Sequence, residues 1–318
     1  MAVDQPTRTL LERLAERAAK PRHEMTPPEA RAAMDGLRAL LGDGPDMRRE
    51  ARFDVPVGGG TVPLIVYVPQ AVPTGLIVYF HGGGWVVGSA HEFGPLARSL
   101  AAATDCAVAL LGYRKAPEYP YPTAVEDAWA GLQFCAARLH ELVGAHVPVL
   151  VAGDSAGANL AIVTAMRARD RGGPPIAAQV LAYPVTDCDF DRPSYTDDAN
   201  QLMLTRDTMR WYWDQYVPDP VRRAEAEASP LRAGDFTRLP PAVVVSAEHD
   251  VLRDEGEEFV DALRAAAVPV THRCFEGQMH GFLMMVDLLP SSSNGIDFIR
   301  NALRERTSHF ATNPAHGR

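Results

Sequence analysis

The chain has 318 residues, 47% hydrophobic and 22% charged, with a formal net charge of −9. Such a composition belongs to a soluble globular protein of one large domain or two small ones, with enough apolar residues to bury a sizeable core. The acidic balance, with no Lys/Arg cluster, argues against nucleic acid or anionic membrane as partner. The scattered cysteines Cys106, Cys135, Cys188 and Cys274 form no C-x-x-C pair and are expected to be small free thiols, not metal ligands or disulfides. No N-terminal apolar segment of signal type and no run of membrane-spanning length occurs, so a cytoplasmic chain without a membrane anchor is the expectation.

Residues 7–20 place Leu10, Leu11, Leu14, Ala15 and Ala18 on one side of a predicted helix, with Arg and Glu opposite. Thr26-Pro27-Pro28-Glu29 predicts a second start: Thr26 as N-cap, proline in the first turn and Glu29 closing a capping box. That helix carries Ala30, Met34, Leu37 and Leu41 and is expected to stop at Gly42. Two short amphipathic helices cannot bury their stripes alone, so they must lie on something. Phe53 to Val57, Gly58-Gly59-Gly60 and Val62 to Val68 predict a hairpin.

The pattern then changes. Strands are predicted at Leu76 to Phe80, Ala107 to Leu111, Val149 to Ala152, Ala177 to Ala182, Ala242 to Ser246 and Val270 to Phe275. Helices are predicted between them at Phe93 to Ala103, Ala124 to Leu142, Ala158 to Arg169 and Glu255 to Ala266, with a last one near Ser293 to Glu305 and a frayed tail after Arg306. Alternating strands and helices predict an α/β fold, with a mostly parallel central sheet and helices on both faces. Ligands of such sheets bind at the carboxyl ends of the strands.

Gly153-Asp154-Ser155-Ala156-Gly157 joins a predicted strand to a predicted helix. A serine between two glycines at such a joint fits a nucleophile elbow, because the turn is too tight for bulky neighbours and pushes the hydroxyl out over the sheet edge. His81-Gly82-Gly83-Gly84-Trp85 follows the strand ending at Phe80. Its glycines let backbone N–H groups face inward, and two of them with the Ala156 N–H would hold an oxyanion, each donor contributing about 3 kcal/mol. His81 is assigned to orienting the loop by hydrogen bonding.

An acid and a histidine must come from other strand ends. Asp250 lies just past the strand Ala242 to Ser246, with Asp187, Glu248 and Asp254 as rivals. Asp254 and Glu255 open a helix, where N-terminal charge stabilisation explains them. His280 lies in the loop after the last strand; His249, His272 and His309 are the alternatives. The order Ser155, Asp250, His280 is that of α/β-hydrolases.

Together with Asp250-Val251-Leu252-Arg253-Asp254-Glu255, His280-Gly281-Phe282, Tyr113-Arg114-Lys115-Ala116-Pro117-Glu118, Tyr183-Pro184 and Leu204-Thr205-Arg206-Asp207, these motifs resemble the hormone-sensitive-lipase family of bacterial esterases. The resemblance spans nearly everything from residue 50 to 305, with one departure, Val251, where proline is usual. It implies an α/β-hydrolase catalytic domain over residues 49–318, cap helices within residues 1–48 and a second cap segment at about 188–228. It also implies that Gly83, Gly84 and Ala156 supply the oxyanion donors.

The expected activity is serine carboxylic-ester hydrolysis through Ser155, His280 and Asp250 and an acyl-enzyme, with no metal or organic cofactor. Trp85, Tyr183, Met203 and Leu204 are candidates for the substrate pocket, and Trp211, Tyr212 and Trp213 extend the same aromatic wall. The partner is a small-molecule ester, and the resemblance is compatible with a homodimer. An amidase, arylformamidase or lactonase could use the same machinery, since fold and triad do not specify the acyl substrate. A binding-only receptor of the gibberellin-receptor kind would lack the histidine that is intact here as His280.

Overall fold

The computed structural model describes residues 2–17 and 20–312, so Ala18 of the first predicted stripe lies outside the described residues. The strands are β1 (Arg49–Val57), β2 (Gly60–Val68), β3 (Leu76–Phe80), β4 (Ala107–Leu111), β5 (Val149–Asp154), β6 (Gln179–Ala182), β7 (Ala242–His249) and β8 (Val270–Met279). They form one sheet in the order β1-β2-β4-β3-β5-β6-β7-β8, parallel from β4 through β8 and antiparallel at β1 and β2. The helices are α1 (Gln5–Arg17), α2 (Pro27–Arg38), α3 (Ala90–Thr104), α4 (Thr123–Ala137), α5 (Leu139–Val143), α6 (Ala156–Asp170), α7 (Pro193–Thr196), α8 (Arg206–Tyr216), α9 (Arg253–Ala265) and α10 (Pro290–Thr312). No helix among the described residues is long and apolar enough to cross a membrane.

Every residue of β3, β4 and β5 is buried, so the centre of the sheet is covered on both faces, and these strands have apolar runs without alternation. Helix α3 packs on α10, and α4 packs on α6. The chain passes from β3 outward to β4 and then back across to β5, so the strand order reverses between β3 and β5. At such a switch point a crevice opens beyond the carboxyl ends of the strands. Phe80 pairs with Gly153 there, which sets the glycine loop after β3 beside the turn after β5.

Several boundaries differ from expectation. The predicted helix over 124–142 is two, α4 and α5, separated at Arg138, whose φ of −114° leaves the helical range. Helix α2 ends at Arg38, not Gly42, because the last turn tightens: Leu40 and Leu41 donate to Leu37 and Arg38, three residues back. The hairpin turn is Gly58-Gly59 alone, since Gly60 already pairs with Val57. The expected frayed tail is helical as far as Thr312. The capping box at Thr26 forms, with its N–H donating to the Glu29 carboxylate at 2.7 Å.

Candidate active site

Between β5 and α6 a single residue, Ser155, reverses the chain, with φ 54° and ψ −121°. Non-glycine residues rarely adopt such a conformation, and it persists only where the surroundings over-determine it. Here the flanking glycines do so. A Cβ on Gly157 would overlap the Phe80 carbonyl oxygen, and one on Gly153 would overlap the Gly157 backbone. Only hydrogen at both positions lets α6 start hard against β3 and β5.

The ends of β7 and β8 complete a hydrogen-bonded chain. His280 Nε2 lies 3.0 Å from the Ser155 hydroxyl, and His280 Nδ1 lies 2.7 Å from Asp250 Oδ2. The other Asp250 oxygen accepts the Leu252 N–H at 2.9 Å, and the side chain is fully buried. With Nδ1–H donating to a carboxylate, Nε2 is left to accept the serine proton. The loop takes this form with Val251 in place of proline.

The rivals are occupied elsewhere. Glu248 accepts the Gly277 N–H at 2.7 Å, Asp187 pairs with Arg192 at 2.7 Å and Arg232 at 2.5 Å, and Asp254 accepts the Ser194 N–H at 2.7 Å. His272 Nε2 faces the Ser246 hydroxyl at 3.0 Å. The His309 side chain lies outside the described ones.

The glycine loop after β3 bends through positive φ at Gly83 (105°) and Gly84 (58°). A Cβ on Gly83 would strike the Val87 carbonyl, and one on Gly84 would enter the Tyr212 ring. Among the described residues, no group accepts the N–H of Gly83 or Gly84, and Ala156 opens α6, where the N–H has no partner within the helix. The Gly82 N–H is different. It donates to Asp154 Oδ1 at 2.9 Å, an oxygen that also accepts the Tyr79 hydroxyl at 2.8 Å. Burial pushes the Asp154 carboxyl up to about 6 against these two hydrogen bonds. His81 is sandwiched between Phe93 and Tyr113, its Nδ1 is 2.7 Å from the Gly82 carbonyl, and burial lowers its pKa to about 3. It is neutral and orients the loop.

Of the expected pocket residues, Tyr183 stands edge-on to His280 with ring centroids 4.7 Å apart. The Met203 methyl lies 3.0 Å from where a Cβ on Gly281 would sit, while Leu204 is buried nearby in sequence. Trp85 is fully buried and stacks on Tyr216 at 4.1 Å, edge-on to Trp213, so it packs α8 onto the glycine loop. Tyr212 covers Gly84 from the same helix. Ser155 and His280 are only 6% and 8% exposed. A groove of about 900 Å³ elsewhere, between α2 and the β1–β2 hairpin, includes none of Ser155, Asp250 and His280; its arginines Arg31, Arg38, Arg98 and Arg114 form ion pairs with Glu118, Asp43, Glu50 and Asp127, and Arg52 also lines it.

The pairing of Asp154 with Tyr79 falls outside the sequence motifs. The available signal was an ionisable residue at the end of a fully apolar strand, which requires a partner.

Residues 77–284 match the family model described as the alpha/beta hydrolase fold. The carboxylesterase NlhH of Mycobacterium tuberculosis is 36% identical over 274 residues, 81% of this chain and 84% of that protein. The ethyl acetate hydrolase of Pseudomonas putida is 30% identical over 295 residues, 90% of this chain and 92% of that protein. Among solved structures, the hyperthermophilic esterase of Pyrobaculum calidifontis superposes with a TM-score of 0.88 at 32% identity, covering 96% of this chain and 99% of the esterase.

Proposed function

Because this chain belongs to the hormone-sensitive-lipase-like carboxylesterases of the α/β-hydrolase superfamily and is a serine carboxylic-ester hydrolase, we propose that Ser155, His280 and Asp250 perform the reaction. The observation that carries this reading is the hydrogen-bonded chain from the Ser155 hydroxyl through both nitrogens of His280 to Asp250. His280 Nε2 takes the hydroxyl proton as Ser155 Oγ attacks the ester carbonyl, and Asp250 stabilises the imidazolium. The oxyanion is held by the N–H groups of Gly83, Gly84 and Ala156 at the start of α6. Collapse expels the alcohol, protonated by His280. Water, deprotonated by the same imidazole, then attacks the acyl-enzyme and releases the acid.

In the same reading, residues 1–48 and the segment at about 188–228 form a cap over residues 49–318, and Tyr183, Met203 and Tyr212 border the acyl and alcohol sites. A finite apolar pocket bordered by these side chains would suit short to medium acyl chains, roughly four to eight carbons. The four free cysteines fit a reducing cytoplasm.

The test is Ser155→Ala, which leaves the elbow backbone unchanged. We expect a folded protein whose ester turnover falls by about 10⁴ or more. An organophosphate should add a single covalent phosphoryl group to wild type at Ser155, located by mass spectrometry. A folded variant with near wild-type turnover, or labelling at another residue, overturns the assignment.

A further inference from the structure

The chain leading into His280 lies where its strand pairing is interrupted. Ala247 pairs with Phe275 and His249 with Met279, so two steps along β7 are matched by four along β8. Strand β8 is also the outermost of the sheet. The stretch Glu276-Gly277-Gln278 therefore lacks a regular ladder on one side and a strand neighbour on the other. A histidine placed by that stretch needs other restraints, because a displacement of about 1 Å costs a proton-transfer group on the order of 10²-fold in rate.

Those restraints come from far along the chain. Gln278 is buried, and its Oε1 accepts from the Thr7 hydroxyl at 3.2 Å and the Ser291 hydroxyl at 2.6 Å. Its Nε2 donates to Asp4 Oδ2 at 2.8 Å. The other Asp4 oxygen accepts the Thr7 N–H at 2.9 Å, which ties the same carboxylate to the first turn of α1. The Asp4 N–H donates to the Gly277 carbonyl at 3.1 Å, and the Gly277 N–H donates to Glu248 at 2.7 Å. Gly277 has φ 69°, and a Cβ there would crowd the Asp4 backbone nitrogen at 3.1 Å. Glu248 and Gln278 each stand two residues before a triad member, Asp250 and His280.

We propose that Gln278 is a positioning residue for ester hydrolysis, through which the start of α1 and the start of α10 hold His280 within hydrogen-bonding reach of Ser155. This rests on the reading of His280 as the proton acceptor. The N-terminal helix then acts on the chemical step itself as well as on substrate entry. Loss of a hydroxyl in this network lets the β8 end relax, lengthens the Nε2–Oγ hydrogen bond and lowers kcat with little change in KM.

The experiment measures kcat, KM, the rate of organophosphate inactivation and the melting temperature for Thr7→Val, Thr7→Ser, Ser291→Ala and Gln278→Leu, with His280→Ala alongside. Thr7→Val should lower kcat and the inactivation rate together by about 10-fold with KM within about twofold, and Gln278→Leu should lower both by about 10²-fold. Thr7→Ser, which keeps the hydroxyl, should retain most of the activity. Should Gln278→Leu fail to fold, Thr7→Val and Ser291→Ala decide the matter. The proposal is overturned if these variants lose melting temperature but keep kcat and the inactivation rate, or change KM alone. An active His280→Ala would instead bring down the triad reading; an inactive His280→Ala beside a fully active Thr7→Val brings down only the role of Gln278.

Discussion

Asp250 and Glu248 sit two residues apart at the end of β7 but have different hydrogen-bond partners. Asp250 is fully buried and faces His280 Nδ1, whereas Glu248 is spent on the Gly277 backbone. Asp250→Asn would present an amide N–H to Nδ1 and force the wrong tautomer on the imidazole, so kcat should fall by about 10⁴ with the melting temperature close to wild type. Glu248→Gln keeps an oxygen for the Gly277 N–H and should cost far less. Steady-state kinetics on both variants checks this; a crippled Glu248→Gln beside a mildly affected Asp250→Asn means the acid is misassigned. The three residue types were visible in the sequence because their motifs are local. Asp154 carries no local signature of its role, because its partners, Tyr79 and Gly82, lie more than seventy residues upstream and meet it only across β3 and β5.

Helix α9 shows what an element can hide. Its sequence opens with two acids, which N-terminal charge stabilisation explains. Asp254 does serve a backbone N–H, that of Ser194. Glu255, however, is fully buried, and its Oε1 accepts the N–H groups of Thr186 at 2.7 Å and Asp187 at 3.2 Å, tying α9 to the loop after β6. Burial pushes this carboxyl from an ordinary 4.5 up to about 8. Between those values the folded chain keeps a proton that the unfolded chain has lost, so stability is fully present below pH 4.5 and declines as pH rises toward 8. Glu255→Gln retains the accepting oxygen and cannot ionise. Its melting temperature, followed by calorimetry from pH 5 to pH 9, should fall less steeply than that of wild type, giving a relative gain at the alkaline end. Identical slopes would show that Glu255 is not held protonated. Asp154, raised to about 6, leaves both proteins a residual slope confined to the acid side.

On the scale of the whole molecule, two remote segments meet at the glycine loop. Arg22, in the turn between α1 and α2, faces the Tyr212 phenol on α8, and Tyr212 covers Gly84. The proposed cap would close an apolar site, in which each buried methylene contributes about 0.8 kcal/mol until the site is full. Activity on a series of 4-nitrophenyl esters should therefore peak at short to medium acyl length, with long-chain triglycerides poor substrates. Deleting residues 1–45 should lower the melting temperature and broaden the acyl profile. It should also reduce kcat on the best substrate, since Asp4 and Thr7 leave with the helix. A truncated enzyme with unchanged stability and profile would mean these helices are no cap.

The α/β architecture, the strand-to-helix joints and the candidate positions Ser155, Asp250 and His280 are legible in the sequence. Apolar runs with flanking glycines are local signals: a buried strand needs residues such as Leu76 to Phe80, and a tight turn needs hydrogen at Gly153 and Gly157. Folding brings the Asp250 carboxylate to His280, aims the Gly82 N–H at Asp154, packs α8 onto the glycine loop through Trp85 and carries the start of α1 to the end of β8. Those outcomes depend on hydrogen bonds between groups as distant in sequence as Thr7 and Gln278, 271 residues apart. No local pattern records such a pairing, because a threonine or glutamine acquires its partner only when burial removes water as the alternative.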